Sequence, residues 1–279
     1  MVIAPLLLLL ALATHPTSRP GGEITPPAHR EAPGRRVALA HGELYIPEYY
    51  TSASPPNLVI FFLSPAWLAE QNFHDAQRNA LLFTAAPATV KAGFPTPESF
   101  DAILAEVQSA APNPQSQWRI TLVSFSGGYT AIRDILAQES TASLISNVLL
   151  LDSLYAPHVP AGSDHLDPAA MEPFLKFACR AADGKATFIF SQLYPPEEKY
   201  RNNTTTLAAN YLIDHLHVPR DVHPTTNPSV ARPLLYRADL SNFHILGFAG
   251  MTNQDHFNHL YLCADLLRLL PIAGGDGKP

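Results

Sequence analysis

The chain is short of cysteine, of clustered positive charge and of long hydrophobic runs, and each shortage narrows what it can be. Two cysteines, Cys179 and Cys263, allow at most one bridge; both sit in apolar helical patterns and read equally as a disulfide or as two buried thiols. The formal charge is -6, and no Lys/Arg cluster is longer than the pair Arg35-Arg36. A polyanion therefore finds no electrostatic footprint, which argues against nucleic acid as a partner. The apolar run from Val2 to Ala13 is too short to span a bilayer, which takes about 20 residues, so no stable membrane span is expected in the mature chain. No His-Glu-x-x-His sequence occurs, and no internal repeat is visible.

What is present begins with that apolar run. It ends in Ala11-Leu12-Ala13, a small-residue pattern followed by polar, Pro-rich sequence, as in a secretory signal peptide. Neither Lys nor Arg precedes it, which leaves a misassigned start or a buried helix as the competing reading. No cysteine near the cleavage pattern offers a lipid attachment point. Composition divides the chain into a signal peptide over 1–13, a Pro-rich linker over 14–35, one domain over 36–271 and a tail over 272–279. The expected location is secreted or periplasmic. With 279 residues, 47% of them hydrophobic, one large α/β core is favoured. Many of the 27 prolines fall in 16–56 and 195–233, which marks those stretches as long loops.

The domain alternates strand and helix patterns. Arg36 to Ala40 and Glu43 to Ile46 form a first antiparallel pair around a His41-Gly42 turn. Leu58 to Leu63 is a continuous apolar run between Pro-containing boundaries, the pattern of a strand covered on both faces. Further strands are expected at Ala80–Thr84, Ile120–Ser124, Asn147–Leu151, Ala186–Phe190 and Phe243–Phe248, with helices over Pro97–Ala110, after residue 128, over Met171–Ala182 and Thr205–Leu216, and from about Asn258 to Leu270. The alternation predicts an α/β fold with a doubly wound, mainly parallel sheet, helices on both faces and loop insertions over the strand ends. Reactive groups should gather at the carboxyl ends of those strands.

One stretch carries chemistry. Ile120 to Ile132 reads as a buried strand, a sharp turn and a helix, with Ser126 at the turn. A nucleophilic serine held in a strained strand-to-helix turn requires small residues two before and two after it, and Ser124 and Gly128 comply. The motif is Ser-x-Ser-x-Gly where Gly-x-Ser-x-Gly is usual, and its bland reading is a tightly packed turn. The N-H of Gly127 at the helix start suits an oxyanion. An acid and a histidine should follow in that order. Asp152 ends the strand after the turn; its alternative duty is to cap a turn. Glu197 and Glu198 arrive later, in a Pro-rich loop, and Ser191 to Tyr194 offers no carboxylate. His256 is the expected base because it falls in the loop before the closing helix, and His259 is its rival. Asp255, beside His256, is a further alternative acid. His256 and His259 could also be two metal ligands one turn apart, but the pair lacks a third ligand in a defined motif. No metal and no cofactor are expected.

From Leu58 to Leu270 the chain resembles the α/β-hydrolase superfamily, and within it a bacterial group with a Phe-Ser-x-Gly-Tyr elbow. The residues carrying the resemblance are Phe61 to Leu68 with Trp67, Phe125-Ser126-Gly127-Gly128-Tyr129 with Arg133, and Asp255 to His259. It implies a serine hydrolase with Ser126 as nucleophile and His256 or His259 as base. Leu63-Ser64 stands where the superfamily often has His-Gly, so Ser64 is the remaining candidate for a second oxyanion donor, since Pro65 has no N-H. Trp67 is either a wall of the acyl pocket or core packing. Tyr155, Tyr194 and Tyr200 are candidate pocket residues or packing groups.

The expected activity is hydrolysis of a small-molecule or polymer-derived carboxylic ester through an acyl-enzyme. A serine peptidase, a lactonase or an acyltransferase on the same fold remains open, as does a catalytically inactive binding protein.

Overall fold

The structure is a computed structural model that describes residues 26–53, 55–112, 117–198, 201, 205–224 and 233–274. The signal-peptide segment, most of the expected linker and Tyr200 lie outside the described residues. The strands are β1 (Gly34–Leu39), β2 (Gly42–Pro47), β3 (Asn57–Phe62), β4 (Leu81–Ala85), β5 (Arg119–Phe125), β6 (Ile145–Leu151), β7 (Thr187–Tyr194), β8 (Arg220–Asp221), β9 (Leu234–Leu240) and β10 (Phe243–Ala249). The helices are α1 (Ala66–Ala76), α2 (Pro87–Ala92), α3 (Pro97–Ala110), α4 (Tyr129–Leu136), α5 (Glu139–Ala142), α6 (Pro168–Ala182), α7 (Thr206–His215), α8 (Asn253–Tyr261) and α9 (Ala264–Leu267).

Among the described residues the ten strands form one sheet in the order β1-β2-β4-β3-β5-β6-β7-β10-β9-β8. The six from β4 to β10 are parallel, and antiparallel strands close both edges. Side-chain alternation along each buried strand supplies two cores. Leu58, Ile60, Ile120, Leu122, Val148 and Phe188 meet α3, α4, α6 and α7 on one face, while Val59, Val123, Leu149, Ile189 and Leu246 meet α1, α8 and α9 on the other. This is the doubly wound, mainly parallel sheet with helices on both faces that the sequence predicts.

Several boundaries differ. β7 runs on through Ser191-Gln192-Leu193-Tyr194, which places these residues inside the sheet rather than after it. The closing helix is two helices, and the first starts at Asn253, so His256 occupies its first turn rather than the preceding loop. A capping box moves the start: Thr252 Oγ1 accepts from the Asp255 N-H at 3.2 Å while Asp255 Oδ2 accepts from the Thr252 N-H at 3.0 Å. The packed chain extends a few residues past both composition-based ends. The Arg30 N-H donates to Gln71 at 3.0 Å, and Arg78 bridges to Gly274. Cys179 is exposed and Cys263 buried, and both are free thiols. Among the described residues no helix is long and apolar enough to cross a membrane.

Candidate active site

Three adjacent parallel strands, β3, β5 and β6, each release the chain at the same sheet edge through a non-glycine residue in the left-handed region. These are Leu63 at φ 65°, Ser126 at φ 51° and Asp152 at φ 41°. Such backbone costs of order 1–3 kcal/mol per residue and persists only where the surroundings enforce it. At Ser126 the enforcement is visible. Phe125 is the last paired residue of β5, and a single turn of 3-10 helix over Ser126–Gly128 leads into α4. A Cβ on Gly128 would lie 2.8 Å from the Phe62 carbonyl oxygen, so glycine there is demanded by the close approach of β3. A Cβ on Gly127 would meet only the Leu63 side chain, at 3.8 Å, and the position of Gly127 at the head of α4 leaves its N-H at the sheet edge.

Register places the acid. Phe125 pairs with Leu151, so Ser126 and Asp152 are the next residues out on neighbouring strands. The Asp152 N-H donates to the Ser191 carbonyl at 2.7 Å, which anchors it to β7. Its two oxygens have separate partners. Oδ1 accepts from the Leu193 N-H at 3.0 Å and, in a very short contact, from Thr205 Oγ1; Oδ2 faces His256 Nδ1 at 2.6 Å. Burial pushes the Asp152 carboxyl up, but the hydrogen bond and charge of His256, then the charge of His259 and the Thr205 hydroxyl, outweigh it and hold the group below its ordinary value. A carboxylate is therefore maintained in a fully buried position.

The His256 ring stacks on Phe125 with centroids 4.5 Å apart, against the residue immediately preceding Ser126. With Nδ1 donating to Asp152, Nε2 is left as the basic nitrogen. His259, one turn further along α8, is fully buried beneath the site. Its Nδ1 meets Ser191 Oγ at 2.9 Å, and its ring packs edge-on to Phe248. Burial lowers its pKa to about 4, with Asp152 and Asp255 pulling it up and His256 opposing them. Asp255 is spent on the capping box, its Oδ2 accepting from the N-H groups of Met251 and Thr252. Glu197 and Glu198 are exposed on the loop after β7. The structure thus brings Ser126, Asp152 and His256 to one edge and puts the four alternatives to other uses or elsewhere.

The expected flanking residues divide likewise. Ser64 sits beside Leu63 at the end of β3, its hydroxyl donating to the Pro65 carbonyl at 3.1 Å. Trp67 packs on His29 and against the core shared by α1, α8 and α9. Tyr155 lies 5.8 Å from the Tyr129 ring, its phenol raised well above the ordinary value by burial, then by the charge of Asp152 and by Tyr129. Tyr194 belongs to a different space. With Glu198, Arg201, Leu207, Asn210, Asp214 and Arg220 it lines a cavity of about 340 Å³ beyond the end of β7. Sequence reasoning missed Phe125 as a platform for the histidine, Thr205 as a partner of the acid, and Ser153. Only Ser153, directly after Asp152, stood where inspection could have found it; Thr205 is 53 residues from the carboxylate it contacts.

No family model matches the chain, and no curated protein matches it in sequence. Six solved chains resemble it in structure. One is the crystal structure of carboxylesterase CesB (YbfK) from Bacillus subtilis, at 10% identity and a TM-score of 0.30, with 90% of this chain and 67% of that chain covered.

Proposed function

We propose that the chain is a serine hydrolase that cleaves a carboxylic ester through an acyl-enzyme. Ser126 Oγ attacks the acyl carbon, His256 Nε2 takes its proton and returns it to the leaving alcohol, and Asp152 holds the imidazole in the required tautomer and stabilises its charged form. The Gly127 N-H, with that of Ser64, faces the developing oxyanion. The observation that carries this reading is the Asp152–His256 hydrogen bond at 2.6 Å, made by an imidazole stacked on the residue before the left-handed Ser126. An ester is favoured over an amide because an alcohol leaves with less protonic assistance, so an oxyanion loop built on Leu63-Ser64 rather than on glycine suffices. A soluble small ester or one released from a polymer fits the reading, and the apolar N-terminal run supports action outside the cytoplasm.

The test is labelling by a fluorophosphonate, which marks only an activated serine, followed by turnover on an ester panel at neutral pH. Ser126→Ala should abolish labelling. Ser126→Ala, His256→Ala and their double variant should show nearly the same residual kcat/KM, because members of a triad act as a unit. Additive losses would transfer the base role away from His256, and unchanged turnover in Ser126→Ala would end the serine-hydrolase reading.

A further inference from the structure

The serine two residues before the nucleophile, which departs from the usual glycine, belongs to a buried hydroxyl chain. Ser153 Oγ donates to the Ser126 carbonyl oxygen at 2.7 Å and lies 2.8 Å from Ser124 Oγ. A serine hydroxyl has one proton. Since that of Ser153 is committed to the carbonyl, Ser124 must be the donor to Ser153, and the chain has a single direction: Ser124 to Ser153 to the Ser126 carbonyl. Ser124 and Ser153 have no solvent exposure, so neither hydroxyl can exchange its partner for bulk water.

The carbonyl at the end of this chain is the other half of the peptide whose N-H belongs to Gly127. A trans peptide is planar, so fixing the direction of the Ser126 C=O fixes the opposed Gly127 N-H. The constraint matters because Ser126 is in the left-handed region and Gly127 has no Cβ to resist rotation of that peptide. Donation to the carbonyl also polarises the peptide and makes its N-H a stronger donor, by about a tenth to a third per bond in such chains. We propose that Ser124 and Ser153 are positioning residues that aim and polarise the Gly127 N-H toward the oxyanion. This rests on the serine-hydrolase reading and accounts for a serine where steric demand alone asks only for a small residue.

The experiment measures kcat and KM on 4-nitrophenyl acetate and the rate of fluorophosphonate labelling, with melting by circular dichroism. Ser153→Ala should lower kcat and the labelling rate about tenfold, the range of one buried hydrogen bond, with KM within about twofold. Ser124→Ala should cost about threefold, since the bond to the carbonyl survives. In the Ser153→Ala background the same change should cost nothing further, because it then removes an orphaned hydroxyl rather than a link. A merely structural role would lower the melting temperature without this split between kcat and KM. Wild-type kcat in either single variant, multiplicative losses in the double variant, or a change confined to KM would overturn the relay. Should Ser153→Ala fail to fold, Ser124→Ala decides alone by its kcat. A wild-type chain that neither labels nor turns over ester refutes the relay together with the hydrolase reading, whereas a labelled wild type with an unaffected Ser153→Ala refutes the relay only.

Discussion

Buried His259 makes the fold sensitive to mild acid over a window that follows from its surroundings. Burial is the largest influence and lowers its pKa to about 4, while an exposed imidazole in the unfolded chain titrates near 6.5. Because the folded value is the lower, the unfolded chain binds the proton first. The contribution of this group is thus fully present above about pH 6.5 and is lost as the pH falls toward 4. A gap of about 2.5 units at 1.36 kcal/mol each gives roughly 3 kcal/mol, a large part of the 5–15 kcal/mol that holds a typical domain folded. Asp152 acts in a lower window. Its folded value is depressed, so its contribution is present above its ordinary value of 3.8 and disappears below it. Urea unfolding of the wild type between pH 4.5 and 7.5 should show stability falling with acid, and His259→Phe should remove close to one proton's worth of that slope. Ser191 keeps the Leu150 carbonyl as a partner at 3.3 Å in that variant, so no new orphan is created. Equal slopes in the two proteins would refute the assignment of the acid sensitivity to His259.

Asp152→Asn should fold but lose about three to four orders of magnitude in kcat, as when a triad acid is neutralised, and full activity would send the search for the acid elsewhere. Gly128→Ala forces a Cβ to 2.8 Å from the Phe62 carbonyl oxygen; backbone cannot yield as a side-chain tip can, so a loss of about 2 kcal/mol is expected, seen as a melting point lower by roughly 4–8 °C. Export should remove the first 13 residues or a few more, which mass spectrometry of the mature protein reads directly; an intact Met1 on active, exported material would contradict it.

The parallel strands were legible because burial on both faces leaves continuous apolar runs, as in β3 and β6. The helix α1 was not, because its buried face carries Glu70, Gln71 and Asn72, which breaks the apolar periodicity. Their partners lie far off in the chain: Arg36 for Glu70, the Arg30 N-H for Gln71, and Ala264 and Leu260 for Asn72. β9 was hidden by its position beyond the Pro-rich stretch and by half-buried Arg237 and Leu235 between its buried residues. The start of α8 was placed late although Thr252 and Asp255 spell a capping box, because Asp rather than Glu fills its third position. At the site, Ser126 announced itself through the small residues around it. The grip on Asp152 did not, since it comes from a backbone N-H in β7 and from a hydroxyl at the head of α7.

The register of β5 and β6 has a consequence for how the protein fails. Ser126 and Asp152 are fixed by the ladder of two adjoining central strands, whereas His256 rides on a separate helix that joins the sheet through Gly250 and the short turn after it. Two of the three groups therefore share the cooperative unit of the sheet, and the third belongs to a peripheral one that can detach at a lower free energy. Denaturant should abolish the proposed ester turnover by releasing α8 while the sheet remains whole. Removing the denaturant should then restore activity as fast as one helix can redock, with no need to rebuild the core.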